Sequence, residues 1–298
     1  MTVIRLTKEE IRHHLNNLLN TDITLTPIGN HSLKRHQVYS FHYNGKDLIL
    51  KFYYINQSLW EISALNILKD WEYAPKVFRY GAFENTSEYL ITYKEPGIPL
   101  SNYENRIPTE CYYEKIGSIL KQIHSFSSST IGFNHQTCNF NSIKEAYNFI
   151  SRRTFSLINN SDYGENDQII KRTMKNFYKI LDSLDLNEPV LTHRDFDSRN
   201  ILVTRNSEKL EINKVIDYEH SLYFDPIYDL ANLYFKKLHK NDLSLDLFNK
   251  GYGSNLLIND RFLMHLSYIL LSNISWSKNI SNDLYNESIE MIRKINIG

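Results

Sequence analysis

The stretch Leu191-Thr-His-Arg-Asp-Phe-Asp-Ser-Arg-Asn-Ile-Leu-Val203 sets an aspartate, Asp195, and an amide, Asn200, five residues apart in a polar loop that runs into an apolar strand. Asp217 follows seventeen residues after Asn200, at the end of a second apolar run, in Val215-Ile-Asp-Tyr-Glu-His220. If the two runs pair as a hairpin, Asn200 and Asp217 arrive at neighbouring ends. A carboxylate beside an amide oxygen is hard-oxygen ligation, suited to Mg²⁺ that also keeps waters and phosphate oxygens. Asp195 then stands near the metal without having to bind it, where a group orienting an attacking hydroxyl belongs.

Phosphoryl transfer also needs a cation on the nucleotide. Upstream, Lys51 lies inside the apolar strand Leu48-Ile-Leu-Lys-Phe52, and Glu61 on the following helix is its candidate carboxylate. Around them the chain reads as an antiparallel sheet carrying a helix. Thr7-Lys-Glu-Glu10 is a capping box, and Ile11, Leu15, Leu18 and Leu19 continue it at helical spacing. Strands are expected over 37–43 and 46–52, joined by Asn44-Gly45, because both positions of a type I′ turn need positive φ. A helix over 58–69 and strands over 76–82 and 88–93 complete this part. Lys94-Glu-Pro-Gly-Ile-Pro99 breaks the pattern and is read as a hinge. Beyond it helices are expected at about 108–126, 142–158, 166–184, 226–240, 242–250 and 259–296. Residues 1–94 are therefore expected to form one lobe and 95–298 a second, mostly helical one.

These residues resemble a known family. His193-Arg-Asp195 with Asn200 is similar to the H-x-D-x-x-x-x-N catalytic loop of the aminoglycoside phosphotransferase and choline kinase superfamily. Ile216-Asp-Tyr-Glu219 resembles its metal-binding I-D-x-E segment, and Asp225-Pro-Ile-Tyr-Asp-Leu-Ala231 its D-P-x-x-D-L-A helix start. Gly117–His124 and Pro96–Leu100 are weaker matches, and order and spacing agree from about residue 25 to 235. The resemblance implies an α+β, bilobal, protein-kinase-like fold with ATP, or GTP, in the cleft. It implies Asp195 as catalytic base, Asn200 and Asp217 as Mg²⁺ ligands, and Lys51 paired with Glu61. Backbone near Leu90–Tyr93 would meet adenine. Two departures stand out. No glycine-rich phosphate loop is visible; Gly29–Gln37 holds a single glycine, with Ser32 as a hydroxyl and Lys34 or Arg35 as charges for phosphate. Position 194 is Arg, where small-molecule kinases more often have Gly. His-Arg-Asp is the protein-kinase form, yet Tyr-Glu rather than Phe-Gly follows Asp217 and no Ala-Pro-Glu appears.

Other residues have two readings. Glu61 also completes a capping box with Ser58. His193 is expected to hold backbone rather than move protons. Asp229 is either a helix-dipole acid or a brace for the catalytic loop. Glu219 and His220 are candidates to line the acceptor site, with a solvated loop as the plainer reading. A cationic aminoglycoside would need acids such as Asp162, Glu165, Asp197 and Glu219. A quaternary ammonium would favour aromatics, Tyr268 and Trp276, eight apart on one helical face, although core packing is the alternative. The expected partner is thus a small-molecule hydroxyl acceptor: an aminoglycoside or other antibiotic, a sugar, or choline or another amino alcohol. A catalytically silent, kinase-shaped protein would have lost a catalytic-loop or metal residue, and none is missing.

The totals bound the remainder. With 298 residues, 42% hydrophobic, the chain can build one large domain or two lobes, each with a core. The balance of 34 basic and 34 acidic residues favours neither nucleic acid nor a membrane surface. Phe262–Ser272 is short and contains His265, so it reads as a buried helix. Two cysteines, Cys111 and Cys138, and a start without an uninterrupted apolar stretch point to the cytoplasm. The oligomeric state is left open.

Overall fold

Thr7 starts the first helix as its box demands. Its hydroxyl accepts from Glu10 N at 3.3 Å, and the Glu10 carboxylate accepts from Thr7 N at 2.7 Å. In this computed structural model the described residues are 6–29, 37–54, 58–83, 87–104, 106–108, 110, 112–132, 139–185, 188–206, 209–278 and 280–295. Ser32, Lys34, Arg35, Cys111 and Cys138 lie outside them.

In chain order the first part comprises α1 (Lys8–Leu19), β1 (Thr26–Pro27), β2 (Gln37–Tyr43), β3 (Lys46–Tyr54) and α2 (Ser58–Ile67), then β4 (Val77–Phe83), β5 (Ser87–Tyr93) and β6 (Ile98–Pro99). Next come α3 (Tyr113–Ile123), β7 (Ile131–Gly132), β8 (Asn139–Phe140), α4 (Ile143–Asn159), α5 (Asp167–Leu181) and β9 (Val190–Thr192). The remainder is β10 (Ile201–Asn206), β11 (Lys209–Val215), β12 (Leu222–Phe224), α6 (Ile227–Lys236), α7 (Asp242–Tyr252), α8 (Asp260–Ser277) and α9 (Asn282–Ile295). The chain divides into two compact units. One is Met1–Ile107 with Ser198–Ser221; the other is Pro108–Asp197 with Leu222–Gly298.

The first unit is built on an antiparallel sheet of order β1-β2-β3-β5-β4. Asn44 and Gly45 turn the β2–β3 hairpin with φ of 48° and 73°, as the sequence requires. Along β3 the period of two separates two faces. Leu48, Leu50 and Phe52 are fully buried and share a core with Ile11, Leu15 and Leu19 of α1. Lys51 and Tyr53 point to the other face and are nevertheless buried. A second sheet, β11-β10-β6, belongs to the same unit. The β10–β11 hairpin groups with residues 1–107 because β10 pairs with β6, Leu202 opposite Pro99 and Val203 opposite Ile98. Gly97 permits that approach: its φ is 111°, and a Cβ there would meet Val203 O at 2.7 Å.

In the second unit a small sheet, β8-β7-β12-β9, accompanies seven helices among the described residues. Gly117 of α3 and Gly251 of α7 let the two helices touch through their backbones; a Cβ on Gly251 would sit 1.8 Å from Glu114 O. α8 is buried at 11 of its 18 residues and packs against α4, α5, α6 and α9. The expected helix over 259–296 is in fact two. α8 ends at Ser277, and Ser281 O accepts from Tyr285 N at 3.1 Å to start α9. Ser and Asn compete with helix interiors and favour caps, and 277–282 is rich in both. The helix expected over 226–240 likewise stops at Lys236, followed by a 3₁₀ turn, because Asn241 caps α7 through Ser244 N. Among the described residues no helix is long and apolar enough to cross a membrane.

Candidate active site

In the first unit the candidate side chains gather on the Lys51 face of β3. Lys51 Nζ lies 2.8 Å from Glu61 Oε2, 2.5 Å from Asp217 Oδ1 and 3.0 Å from Glu219 Oε2. Burial alone would lower the lysine's pKa, but Glu61, Tyr53, Asp217 and Glu219 hold it well above the ordinary range. The acids thus favour the charged ammonium. Glu61, in the first turn of α2, also accepts from the Tyr53 hydroxyl and, at 3.2 Å, from Tyr218 N. Its carboxylate ties β3 to the Asp217 segment.

The β10–β11 hairpin does what the two apolar runs predict. Ile201 pairs with Val215, and Ile216 N donates to Asn200 O at 2.8 Å, so Asn200 and Asp217 flank the open end of the hairpin. Asp217 has φ 69°. A non-glycine residue in this left-handed region is held there by its surroundings, and such residues concentrate at functional sites. Carboxylate oxygens of Glu61, Asp217 and Glu219 lie within 4.8 Å of one another. Carboxylates beside an amide are a donor set that suits Mg²⁺ and not a soft metal.

The second unit holds the first half of the loop, through Asp197. Thr192 ends β9, and β12 pairs with it, Leu222 opposite Thr192. Asp229, near the start of α6, braces the turn: Oδ2 accepts from His193 N at 2.8 Å and Oδ1 from Arg194 N at 2.6 Å. His193 is fully buried, and its Nδ1 accepts from Asp195 N at 3.3 Å, a backbone-holding role. Arg194 has φ 64°, a conformation that glycine adopts without steric cost. Its guanidinium lies 4.6 Å from the Tyr228 ring and 5.6 Å from that of Phe224. Such cation–π contacts are worth about 0.5–2 kcal/mol, comparable with the strain of a left-handed residue.

Lys236, at the last position of α6, bridges Asp195 Oδ1 at 2.5 Å and Asp197 Oδ2 at 2.8 Å. Sequence reading missed it. A signal was present: Asp229, Asn232 and Lys236 fall at i, i+3 and i+7, one helical face. All three meet the loop, Asn232 through Arg194 O at 3.2 Å.

The remaining candidates separate. Asp197 is buried and paired with Lys236, so it is not an open acid for a cationic acceptor. His220 is half exposed, its Nε2 3.5 Å from Glu219. Leu90 lies mid-strand, paired with Lys51 on one side and Tyr80 on the other. Tyr93 N donates to Lys76 O at 3.0 Å and its hydroxyl accepts from Lys46. The sheet thus already engages Tyr93 N–H, in the stretch the resemblance assigns to adenine. Tyr268 is core, ringed by Tyr147, Phe155, Phe177 and Tyr228, whereas Trp276 is 39% exposed.

The sequence model of the phosphotransferase enzyme family, APH, matches residues 28–256, most of the chain. No curated protein matches by sequence. Among solved structures, a thermostable mutant of the aminoglycoside phosphotransferase APH(4)-Ia, in complex with AMP-PNP and hygromycin B, superposes with TM-score 0.73 at 15% identity, over 96% of this chain and 97% of that one. Spectinomycin phosphotransferase APH(9)-Ia, with ADP and spectinomycin, gives 0.66 at 15% identity, over 98% and 95%. A choline/ethanolamine kinase family protein from Mesorhizobium loti gives 0.63 at 16% identity, over 98% and 94%. At these identities the likeness is one of fold, and it bears out the α+β, protein-kinase-like architecture.

Proposed function

We propose, from the premise that this chain belongs to the phosphotransferase enzyme family, that it transfers the γ-phosphate of ATP to a hydroxyl group of a small molecule. The observation that carries the reading is the Lys51 cluster: a buried lysine anchored by Glu61 and 2.5 Å from Asp217, the residue that the loop spacing pairs with Asn200. Lys51 supplies the nucleotide's cation, and Glu61 fixes its position. Asn200 and Asp217 are the residues that would hold Mg²⁺, with Glu219 within reach. Bound there, the metal neutralises phosphate charge. Asp195 accepts the proton of the acceptor hydroxyl as that oxygen bonds the γ-phosphorus and the bond to the β-phosphate oxygen breaks, releasing ADP.

The environment of Asp195 supports one reading of the acceptor. A lysine ammonium sits 2.5 Å from it, and the neighbouring acid Asp197 is consumed by the same lysine. That favours a neutral hydroxyl compound over a polycation. Calorimetry with MgATP and a screen for ADP release test the reading. The panel comprises sugars, macrolides, choline, ethanolamine, hygromycin B and spectinomycin. Binding of MgATP and acceleration by a small hydroxyl compound are expected, with neutral members leading. Absence of nucleotide binding would establish a silent, kinase-shaped protein instead. Transfer to generic protein substrates alone would make it a protein kinase.

A further inference from the structure

Family membership accounts for a base, metal ligands and a nucleotide lysine. It does not account for Lys236. The geometry points to Lys236 as a positioning residue for Asp195: a strut anchored on buried Asp197 that fixes the carboxylate receiving the hydroxyl proton. The inference rests on the functional reading above.

The argument begins with α6. Asp229 and Asn232 grip the loop only through backbone atoms, His193 N, Arg194 N and Arg194 O. Those contacts shape the turn but leave the Asp195 side chain its rotamers. Lys236 alone of this face reaches the carboxylate itself, at Oδ1, 2.5 Å away. A second contact makes it a strut. The Asp197 side chain is 3% exposed, so its carboxylate is desolvated and keeps the ammonium 2.8 Å from Oδ2. Asp195 and Lys236 are more open, at 28% and 22%. Buried anchor, half-open bridge and half-open carboxylate form a line ending at the reacting group. Two acids two residues apart would otherwise repel each other; a shared cation offsets that repulsion and favours the orientation in which Asp195 Oδ1 meets the ammonium. Misplacing a reacting group by about 1 Å can lower turnover on the order of 10²-fold.

The test uses MgATP alone, with water as acceptor, so no substrate need be known. ADP release is measured per nucleotide-binding site, the sites being counted by calorimetry, and Asp195→Asn sets the floor. Lys236→Met is expected to lower turnover about 10–100-fold while the MgATP Kd stays within about twofold. Lys236→Arg should recover most of that loss. Asp197→Asn should lose less, and the double variant Lys236→Met with Asp197→Asn should be no worse than Lys236→Met, because both act through one strut. Turnover of Lys236→Met within threefold of wild type overturns the assignment. So do additive losses in the double variant, or a fall in MgATP affinity as large as the fall in turnover. A wild-type protein that neither binds nor hydrolyses MgATP fails the functional reading itself, and this inference with it.

Discussion

Two lysines bridge acids of the same loop-and-hairpin segment, and they are built differently. Lys51 stands mid-strand, 10% exposed in its side chain, among Glu61, Asp217 and Glu219. Lys236 stands at the end of a helix, 22% exposed, between Asp195 and Asp197. In the first cluster the deepest acid, Glu61, is the anchor, and Asp217, at 30%, is open to exchange its partner. In the second, Asp197 is the anchor and Asp195 the open acid. Each sets a buried acid that holds the lysine beside a more accessible acid, the one to which the proposed function gives chemistry. A buried ion pair is weak evidence of stability but strong evidence of fixed geometry.

The first way to break the comparison is to remove the chemistry from one side only. Asp195→Asn should lower turnover on the order of 10²–10⁴-fold and leave MgATP binding intact, whereas Asp217→Ala should weaken MgATP binding first. Steady-state ADP release and calorimetry on the two variants separate them; equal effects on both readouts would erase the distinction between the clusters.

Next in size is the anchor of the first cluster. Lys51→Met leaves Glu61 buried without its ammonium, which should destabilise the protein by about 3 kcal/mol and lower the thermal midpoint by several degrees. The same substitution at Lys236, the more exposed lysine, should shift the midpoint less. Thermal denaturation of both variants side by side checks the order.

The scaffold under the second cluster offers a smaller effect. Gly251→Ala drives a methyl into Glu114 O and forces α3 and α7 apart, at about 1–3 kcal/mol of overpacking. His124 of α3's end bonds Asp229 at 3.1 Å, so this strain should reach the loop brace. A drop in midpoint with some loss of turnover is expected, and the Lys51 cluster should keep its nucleotide affinity.

The smallest effect is on pH. Burial would raise the pKa of Asp229, but bonds and charge from His124 and His193 hold it below the ordinary aspartate range. In Asp225 the same contest is won by His265 and Arg261, which hold it well below. Both groups are depressed on folding, so their stabilisation is present above the unfolded value, about 3.9, and is lost as pH falls below it. The thermal midpoint should decline below about pH 4, and Asp229→Asn should flatten that decline. An unchanged slope would mean that the brace contributes no linked stability.

Much of the molecule is legible in residues 37–54 and 191–220. The Asn44-Gly45 turn, the buried alternation of Leu48, Leu50 and Phe52, and the pairing of Ile201 with Val215 follow from local rules of φ and period. Asp229 fits its reading as a brace because its place after Asp-Pro at a helix start has a local meaning. What stayed illegible involves residues whose plain reading was adequate. Lys236, followed by Lys237, resembles a solvated pair at a helix end. The break between α8 and α9 hides in a run of ordinary polar residues. Arg194 looks like a motif variant until its positive φ and its ring partners are seen.

The sequence by itself determined the periodicities, the turns and the order of the chemistry-bearing residues, since these depend on neighbours a few positions away. Only the tertiary structure decided that Lys51 also meets Asp217 and that Lys236 holds Asp195 and Asp197, because burial and ion pairing join residues that the chain keeps 41 or 166 positions apart.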